Sequence, residues 1–420
     1  MDQSFLAYYE DELGQLRHLS KEFAQLHPTV ARNLSLDSVP CPDPYVERLL
    51  EGVAFLAART RLKLDYESSR YVRGLLDALY PDLAAPAPAM TMAELQPGPQ
   101  VATMMDGHRV KSGTRLVAGL REGIRTRAVY TTAQPVDLWP IKVASAEYLQ
   151  DRGALKAAGL SDAFTRNAEA GLKLVIERTG AGTLAEISLD QLDIYLGNDT
   201  RGVQLFDAIF GACRSILARP DGRPDAFDKI GLPAMVGLAE DEAMLPRVRA
   251  SFEGYRLLRE YFLMPERFHY VRLTGLRPTI SKCDKRKAEV VFLFDRPEPR
   301  LSDIKADAFR LFVTPIVNLF ERECNIVELD RRRTSHVVHA DRTRPRDFEI
   351  FRLLRVEDAE QEGAAARLSS VYALEKATQC PFVFSTDRSP RRPSDDEVDA
   401  GQLRTSYRGD DFLISVARKP

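Results

Sequence analysis

Histidine, cysteine and clustered carboxylates are the side chains that could hold a metal or move a proton, and their spacing here argues against both. The closest histidines, His336 and His339, lie in TSHVVHAD (334–341), where β-branched residues favour a strand and a strand sends the two rings to opposite faces. A zinc site needs roughly three or four converging ligands, so both read as ordinary structural histidines. Cys41, Cys213, Cys283, Cys324 and Cys380 are odd in number, far apart and never in a CxxC pair, which fits free thiols in a reducing compartment. Glu10-Asp11-Glu12 and Glu240-Asp241-Glu242 are runs of neighbours. General acid-base work needs a facing pair with a partner of the opposite role, so each run reads as a solvated face. Gly107 and Gly113 frame five residues as in a phosphate-binding loop, but Thr114 stands where a lysine is required, and KSGTRL (111–116) reads as a turn before a strand. Neither HExxH nor GxSxG occurs. No catalytic residue, metal ligand or cofactor is assigned. The basic clusters Arg331-Arg332-Arg333 and Arg342/Arg344/Arg346 lack any nucleic-acid module around them and read as exposed loops or protein-contact charges.

Elements that could position a site fall into two styles along the chain. Between residues 4 and 27, Phe5, Tyr9, Leu13, Leu16, Phe23 and Leu26 recur at helical spacing, and His27-Pro28 ends the helix because the residue before proline is driven out of the helical region. Asp43-Pro44 supplies a capping carboxylate and a proline at the first helical position. It opens a second helix to about Tyr66 with Leu49, Leu50, Val53 and Leu56 on one stripe. Ser68 or Ser69 is expected to cap a third helix, stopped by Pro81. LYPDLAAPAPAM (79–90) then breaks regular structure. Beyond it the period turns towards two at Leu172/Leu174/Ile176, Leu192/Ile194/Leu196, Val291/Leu293, Phe309/Leu311/Val313 and Phe412/Ile414/Val416, with one helix expected over 203–218 that carries Val203, Phe206, Phe210, Cys213 and Leu217 on one face. The predicted class is α+β: a helical module at 1–84, a proline-rich linker at 85–90, a β-rich mixed region at 91–300 and a second β-rich region at 301–420. Polar stretches 357–370 and 385–404 are expected to be mobile loops.

Composition narrows the function classes. With 420 residues, 44% hydrophobic and 29% charged, the chain can bury a sizeable core, and its formal net charge of −2 gives no global field for a polyanion. The N-terminus, MDQSFLAYYEDEL, lacks the basic and apolar regions of a signal peptide. Acidic or basic residues interrupt every apolar run short of the roughly 20 residues that span a bilayer. A cytoplasmic protein that neither binds nucleic acid nor inserts into a membrane is the expectation.

The most distinctive segments are apolar, aromatic and proline-bearing. FLAYYEDELGQLR (5–17), with Tyr9, and EFAQLHP (22–28) come first, then DPYVERLLEGVAFLAARTRLKLD (43–65), with Asp43, Pro44, Tyr45, Leu49, Leu50 and Leu56. VDLWP (136–140) carries Trp139 and Pro140, and LDIYLGND (192–199) follows. LLREYFLMPERFHYVRLTGL (257–276) carries Tyr261, Phe262, Pro265 and Phe268, and TPIVNLFE (314–321) carries Pro315, Asn318 and Phe320. In this order and spacing they resemble the TssF (VasA/ImpG) family of the type VI secretion baseplate, whose members are similar in design to phage-tail wedge proteins. The resemblance covers most of the chain, with 145–170, 277–288 and 355–405 adding little. It implies a structural subunit, not an enzyme, paired with a second copy of itself and joined by a TssG-like subunit into a wedge. It further implies contacts with TssK-like, sheath and spike-hub components on the cytoplasmic side of a membrane-anchored machine. The quoted residues are then candidate partner contacts or family motifs. Taken singly, the same apolar positions also suit a core, and Tyr261, Phe262 and Phe268 around Pro265 would make a hydrophobic plug. Family members usually carry a further domain after the strand that resembles DFLISVAR (411–418), so the chain reads as a short member or a fragment. Two rivals remain: an enzyme with an unrecognised site, which would show a pocket of converging, pKa-shifted groups, and a nucleic-acid binder using the arginine clusters.

Overall fold

The computed structural model of the chain describes residues 3–36, 41–80, 83, 85–120, 126–223, 226–247, 252–330, 332–361, 367–371, 380–391 and 409–418. Two compact units divide it, Met1–Ala85 and Pro86–Pro420.

The first unit is helical. α1 (Gln3–Leu26) ends before His27, and α2 (Pro28–Asn33) restarts with proline at its first position. At the head of α3 (Pro44–Leu79), the Asp43 carboxylate accepts from the Tyr45 N–H at 2.9 Å. This satisfies one of the donors that a helix start leaves unpaired. α3 is unbroken for 36 residues, so the expected third helix from Ser68 or Ser69 is the continuation of the second. Neither glycine nor proline stands between residues 66 and 70, and a serine costs only a fraction of a kcal/mol, roughly 0.5, inside a helix. Pro81, the expected stop, lies outside the described residues.

The second unit is built on sheets of mainly antiparallel strands. Its strands are β1 (Met90–Glu94), β2 (His108–Val110), β3 (Arg115–Val117), β4 (Val129–Thr132), β5 (Val136–Leu138), β6 (Ile141–Leu149), β7 (Ala170–Arg178), β8 (Leu192–Tyr195) and β9 (Cys213–Pro220). They continue as β10 (Asp228–Ile230), β11 (Tyr270–Leu273), β12 (Lys287–Phe294), β13 (Arg310–Leu311), β14 (Val313–Val317), β15 (His336–Val337), β16 (Ser369–Ser370), β17 (Phe382–Pro390) and β18 (Asp410–Arg418). The sheets run β10-β9-β12-β7-β6, β1-β14-β4-β3, β11-β8-β13, β15-β18-β17-β16 and β2-β5, and their strands pair antiparallel, except for the parallel pair β16 and β17.

The five-stranded sheet is buried on both faces at its central strand β12. Leu172, Leu174 and Ile176 of β7 and Val290, Phe292 and Phe294 of β12 join the main core, while Val291 and Leu293 pack with Leu149, Leu155 and Leu217 on the other side. Each such side chain contributes about 1.5–3 kcal/mol by leaving water. The helix α4 (Thr200–Ala212) covers the main-core face with Gly202, Leu205, Ala208, Ile209 and Ala212. It is shorter than the helix expected over 203–218, because from Cys213 the chain is drawn into β9 by pairing with β12. Its buried stripe lies beside the expected one: Val203 is exposed, and Phe206 and Phe210 are half-buried.

Other expectations are revised by long-range pairing. β1 matches β14 from Met90↔Val317 to Glu94↔Val313, and β13 matches β8 at Arg310↔Tyr195 and Leu311↔Ile194. A division at 300/301 would therefore cut two sheets, and Met90 belongs to a strand and not to the linker. Between β13 and β14, Phe312 takes φ 59°, a left-handed conformation costing about 1–2 kcal/mol without glycine, where the chain passes from one sheet to another. The stretch 385–404 begins inside β17, which is in register with β18 along Phe382–Pro390, and 357–370 ends in β16. Residues 362–366 and 392–404 lie outside the described residues. The strand expected at 334–341 is confined to His336–Val337.

Candidate partner-binding surfaces

Side chains tie α1 to α3. Arg61 reaches Asp11 at 2.6 Å and Glu12 at 2.9 Å, so that acidic run is partly neutralised, and the Tyr8 hydroxyl donates to Asp65 at 2.5 Å. The Arg17 guanidinium grips Glu47, whose other oxygen accepts from the Cys41 N–H at 3.0 Å. Hydrogen bonding to Arg17 holds the Glu47 carboxyl below its ordinary range.

Polar ties do not make a core. Among the described residues of this unit, the buried apolar side chains are Ala31, Cys41, Ala54, Ala58 and Ala85, with no leucine, valine or ring among them. The larger ones face out: Tyr45 is 84%, Leu49 69%, Val53 50% and Leu56 62% exposed, and Leu64, Tyr71, Leu75 and Leu79 are exposed beyond them. Leu50 and Tyr9 are half-buried. Leu49, Val53 and Leu56 stand four and three residues apart, so they form one stripe along a helix surface.

A second surface lies on α5 (Glu253–Leu263) of the sheet unit, where the usual amphipathic order is reversed. The buried residues of this helix are Arg256 and Glu260, while Tyr255, Leu258, Tyr261 and Phe262 are exposed. Glu260, with 0% exposure, accepts from the N–H groups of Met244 at 3.0 Å and Leu245 at 2.8 Å and from Arg256 at 2.8 Å. Its other oxygen meets the guanidinium of the equally buried Arg267, which donates to the carbonyls of Gly237 at 3.1 Å and Glu242 at 2.6 Å. Removing one partner from such a buried pair strands the other charge and costs about 3–5 kcal/mol. Glu242 is buried too: it accepts from Gly237 N–H at 2.6 Å and pairs with Arg272 at 2.8 Å, which corrects the solvated-face reading of this residue. Arg272 also forks onto Asp193 at 2.7 Å through two nitrogens, and these bonds hold its guanidinium firmly charged. The aromatic plug around Pro265 is not packed away. Phe262 and Tyr261 face out, whereas Phe268 is half-buried beneath the Arg267 guanidinium at 4.7 Å.

The remaining motif residues make contacts within the sheet unit. Trp139 and Pro140 are buried; the tryptophan ring belongs to the main core and leaves room only for glycine at Gly107 (φ 68°), while the Pro140 carbonyl accepts from Thr179 at 2.8 Å. Pro315 is buried in β14 with its carbonyl accepting from Ala133 at 2.9 Å, and the Asn318 N–H donates to Ala89 at 2.8 Å. Phe320 lies 6.3 Å from the Phe348 ring and 5.7 Å from the Arg115 guanidinium. His336 accepts from the Asp330 N–H at 2.8 Å. A cleft of 220 Å³ gathers Asp137, Asp193, Glu242, Arg109 and Arg272, but these charges pair with one another. Burial pushes the Cys213 thiol up to about 11, away from nucleophilic use. Among the described residues, no helix is long and apolar enough to cross a membrane.

Sequence reasoning named Tyr45, Leu49, Val53 and Leu56 on α3 and Tyr261 and Phe262 on α5, but it missed the exposed Tyr255 and Leu258 and the buried Arg256, Glu260 and Arg267. Their signal was the Arg256–Glu260 pair four apart among Tyr255, Leu257, Leu258, Tyr261 and Phe262.

Comparisons with known proteins agree with this architecture. The family described as "Type VI secretion system, TssF" matches residues 1–419. The chain is 37% identical over 428 residues to the type VI secretion system component TssF1 of Pseudomonas aeruginosa (strain PAO1), covering 99% of this chain and 68% of that relative. Its fold is similar to a chain in the cryo-electron microscopy structure of the TssK-TssF-TssG baseplate subcomplex, with TM-score 0.64, 19% identity, and 88% of this chain and 66% of that one covered. The chain spans about two thirds of the length of these two relatives, 68% and 66%. Helices first, antiparallel sheets after, and a family match over nearly every residue lead to one conclusion: this chain belongs to the TssF family of the type VI secretion system.

Proposed function

We propose that the chain is a structural wedge subunit of the type VI secretion baseplate, and that its helical unit docks a TssG-like subunit through the exposed stripe of α3. The observation that carries this reading is a unit that, among its described residues, buries no large apolar side chain: Leu49, Val53 and Leu56 stand in solvent while alanines fill the interior. A unit of this size buries too little apolar surface to be more than marginal alone, and helices in proteins are stabilised mainly by burying an apolar face, so a partner helix completes the burial. The printed name of the similar complex, TssK-TssF-TssG, supports a TssG-like partner and a TssK-like neighbour. In this reading a second copy of the chain shares the wedge, wedges join around the spike hub beneath the sheath, and the assembly sits on the cytoplasmic side of the membrane-anchored machine. Its task is geometric and involves no turnover.

The test is co-purification with the TssG-like subunit. Replacing Leu49 and Leu56 together with Asp puts two charges where desolvation is costly, and the double variant is expected to lose the complex. Because both side chains are exposed, the variant chain alone should keep its circular dichroism spectrum. A complex that forms unimpaired would remove this stripe from the interface.

A further inference from the structure

We propose that the exposed face of α5 is a second docking surface and that its occupant is the same face of a second copy of this chain. The inference rests on the paired-copy reading above and supplies it with a place. Each charged residue of α5, Glu253, Arg256, Arg259 and Glu260, is buried or half-buried. Arg256 and Glu260 are turned into the unit and held there by Met244, Leu245 and Arg267. What remains outward is Tyr255, Leu258, Tyr261 and Phe262, flanked by Phe252 at the helix start.

Size and charge select the occupant. Phe252, Tyr255, Tyr261 and Phe262 are 71, 57, 53 and 79% exposed; at about 150–250 Å² per aromatic side chain, with Leu258 and Leu263 added, they offer on the order of 600–700 Å². A standard interface takes about 800 Å² from each partner. The charges of the helix are buried or half-buried, so a partner chosen by ion pairs would find little to pair with. Two copies related by a two-fold axis meet here without like-charge repulsion, as an isologous contact requires. The axis passes near Leu258, between Tyr255 and Phe262. The buried ion network fixes the helix in this inverted orientation, so the face is rigid before contact and loses little freedom on docking.

The experiment uses the full chain without any TssG-like subunit. Sedimentation velocity over a concentration series should show a reversible monomer–dimer equilibrium, and Leu258→Asp or Phe262→Asp should weaken it at least about tenfold, with the melting temperature unchanged. Leu258→Cys should cross-link to its own copy with a short bismaleimide, with the unsubstituted chain as control for Cys324. A chain that stays monomeric throughout the series overturns the proposal, as does a dimer that both Asp variants leave intact. Tyr255→Lys serves as a further variant should either Asp substitution lower the melting temperature. Failure here leaves TssG-like co-purification unaffected, whereas failure of the wedge reading shows only in that second assay.

Discussion

At the scale of single residues, charges in this protein act as fasteners. Glu47 joins the end of the loop at Cys41 to α1 through Arg17, and its pH behaviour is predictable in sign. Its folded pKa lies below the ordinary 4.5 because Arg17 hydrogen-bonds the carboxylate. Folding is therefore favoured by the ionised form. The stabilisation is complete above 4.5 and is lost as the pH falls through the lower folded value. Thermal melts of the helical signal from neutral into acid should show Glu47→Gln less stable than the parent chain at neutral pH, with the gap closing as acid removes the parent's advantage. A gap independent of pH would detach Glu47 from that role. Glu260 and Arg267 are fasteners of another kind, turning a helix so that its hydrocarbon faces outward.

Among the elements, α4 shows how closely backbone can dictate a residue. Asp199 caps it by accepting from the Gly202 N–H at 3.0 Å, and a Cβ on Gly202 would lie 2.2 Å from the Leu196 carbonyl oxygen. Alanine gains about 1 kcal/mol over glycine in a helix interior, but a clash with backbone oxygen costs about 1–3 kcal/mol and cannot be relieved by a rotamer change. Gly202→Ala should therefore lower the urea midpoint of the sheet unit; a rise would show that α4 can shift away from β8. The same helix marks where sequence legibility ends. The start of α3 was readable from Asp43-Pro44, and β7 and β12 from apolar alternation, because caps and periodicity are local. The buried stripe of α4 was misread by one position, since Val203, Phe206 and Phe210 are the bulkier set while Gly202, Ala208 and Ala212 are what the sheet admits. The strand character of STDRSP was hidden because it depends on pairing with β18. For the surfaces, the stripe of α3 was legible as a set, and Tyr261 and Phe262 of α5 were legible without the helix that carries them. Their exposure was not, because periodicity reveals a stripe without saying what lies against it.

For the whole molecule, the contrast between its two units is the main fact: among the described residues one has scarcely any apolar interior, while the other has a sheet whose central strand is buried on both faces. A chain covering residues 86–420 should melt cooperatively by itself, whereas one ending at Arg300 lacks both β13 and β14 and should aggregate, since β1 and β8 then present unpaired edges. Monodisperse, cooperative melting of the shorter chain would deny that these pairings matter. The pairing of β1 with β14 also bears on the order of events during synthesis. Met90–Glu94 leaves the ribosome early, yet its partner Val313–Val317 follows more than two hundred residues later. A translating ribosome thus carries, for most of the time needed to make the sheet unit, an open strand edge that only nearly complete synthesis can close, and shielding of that edge on the nascent chain becomes a requirement for yield.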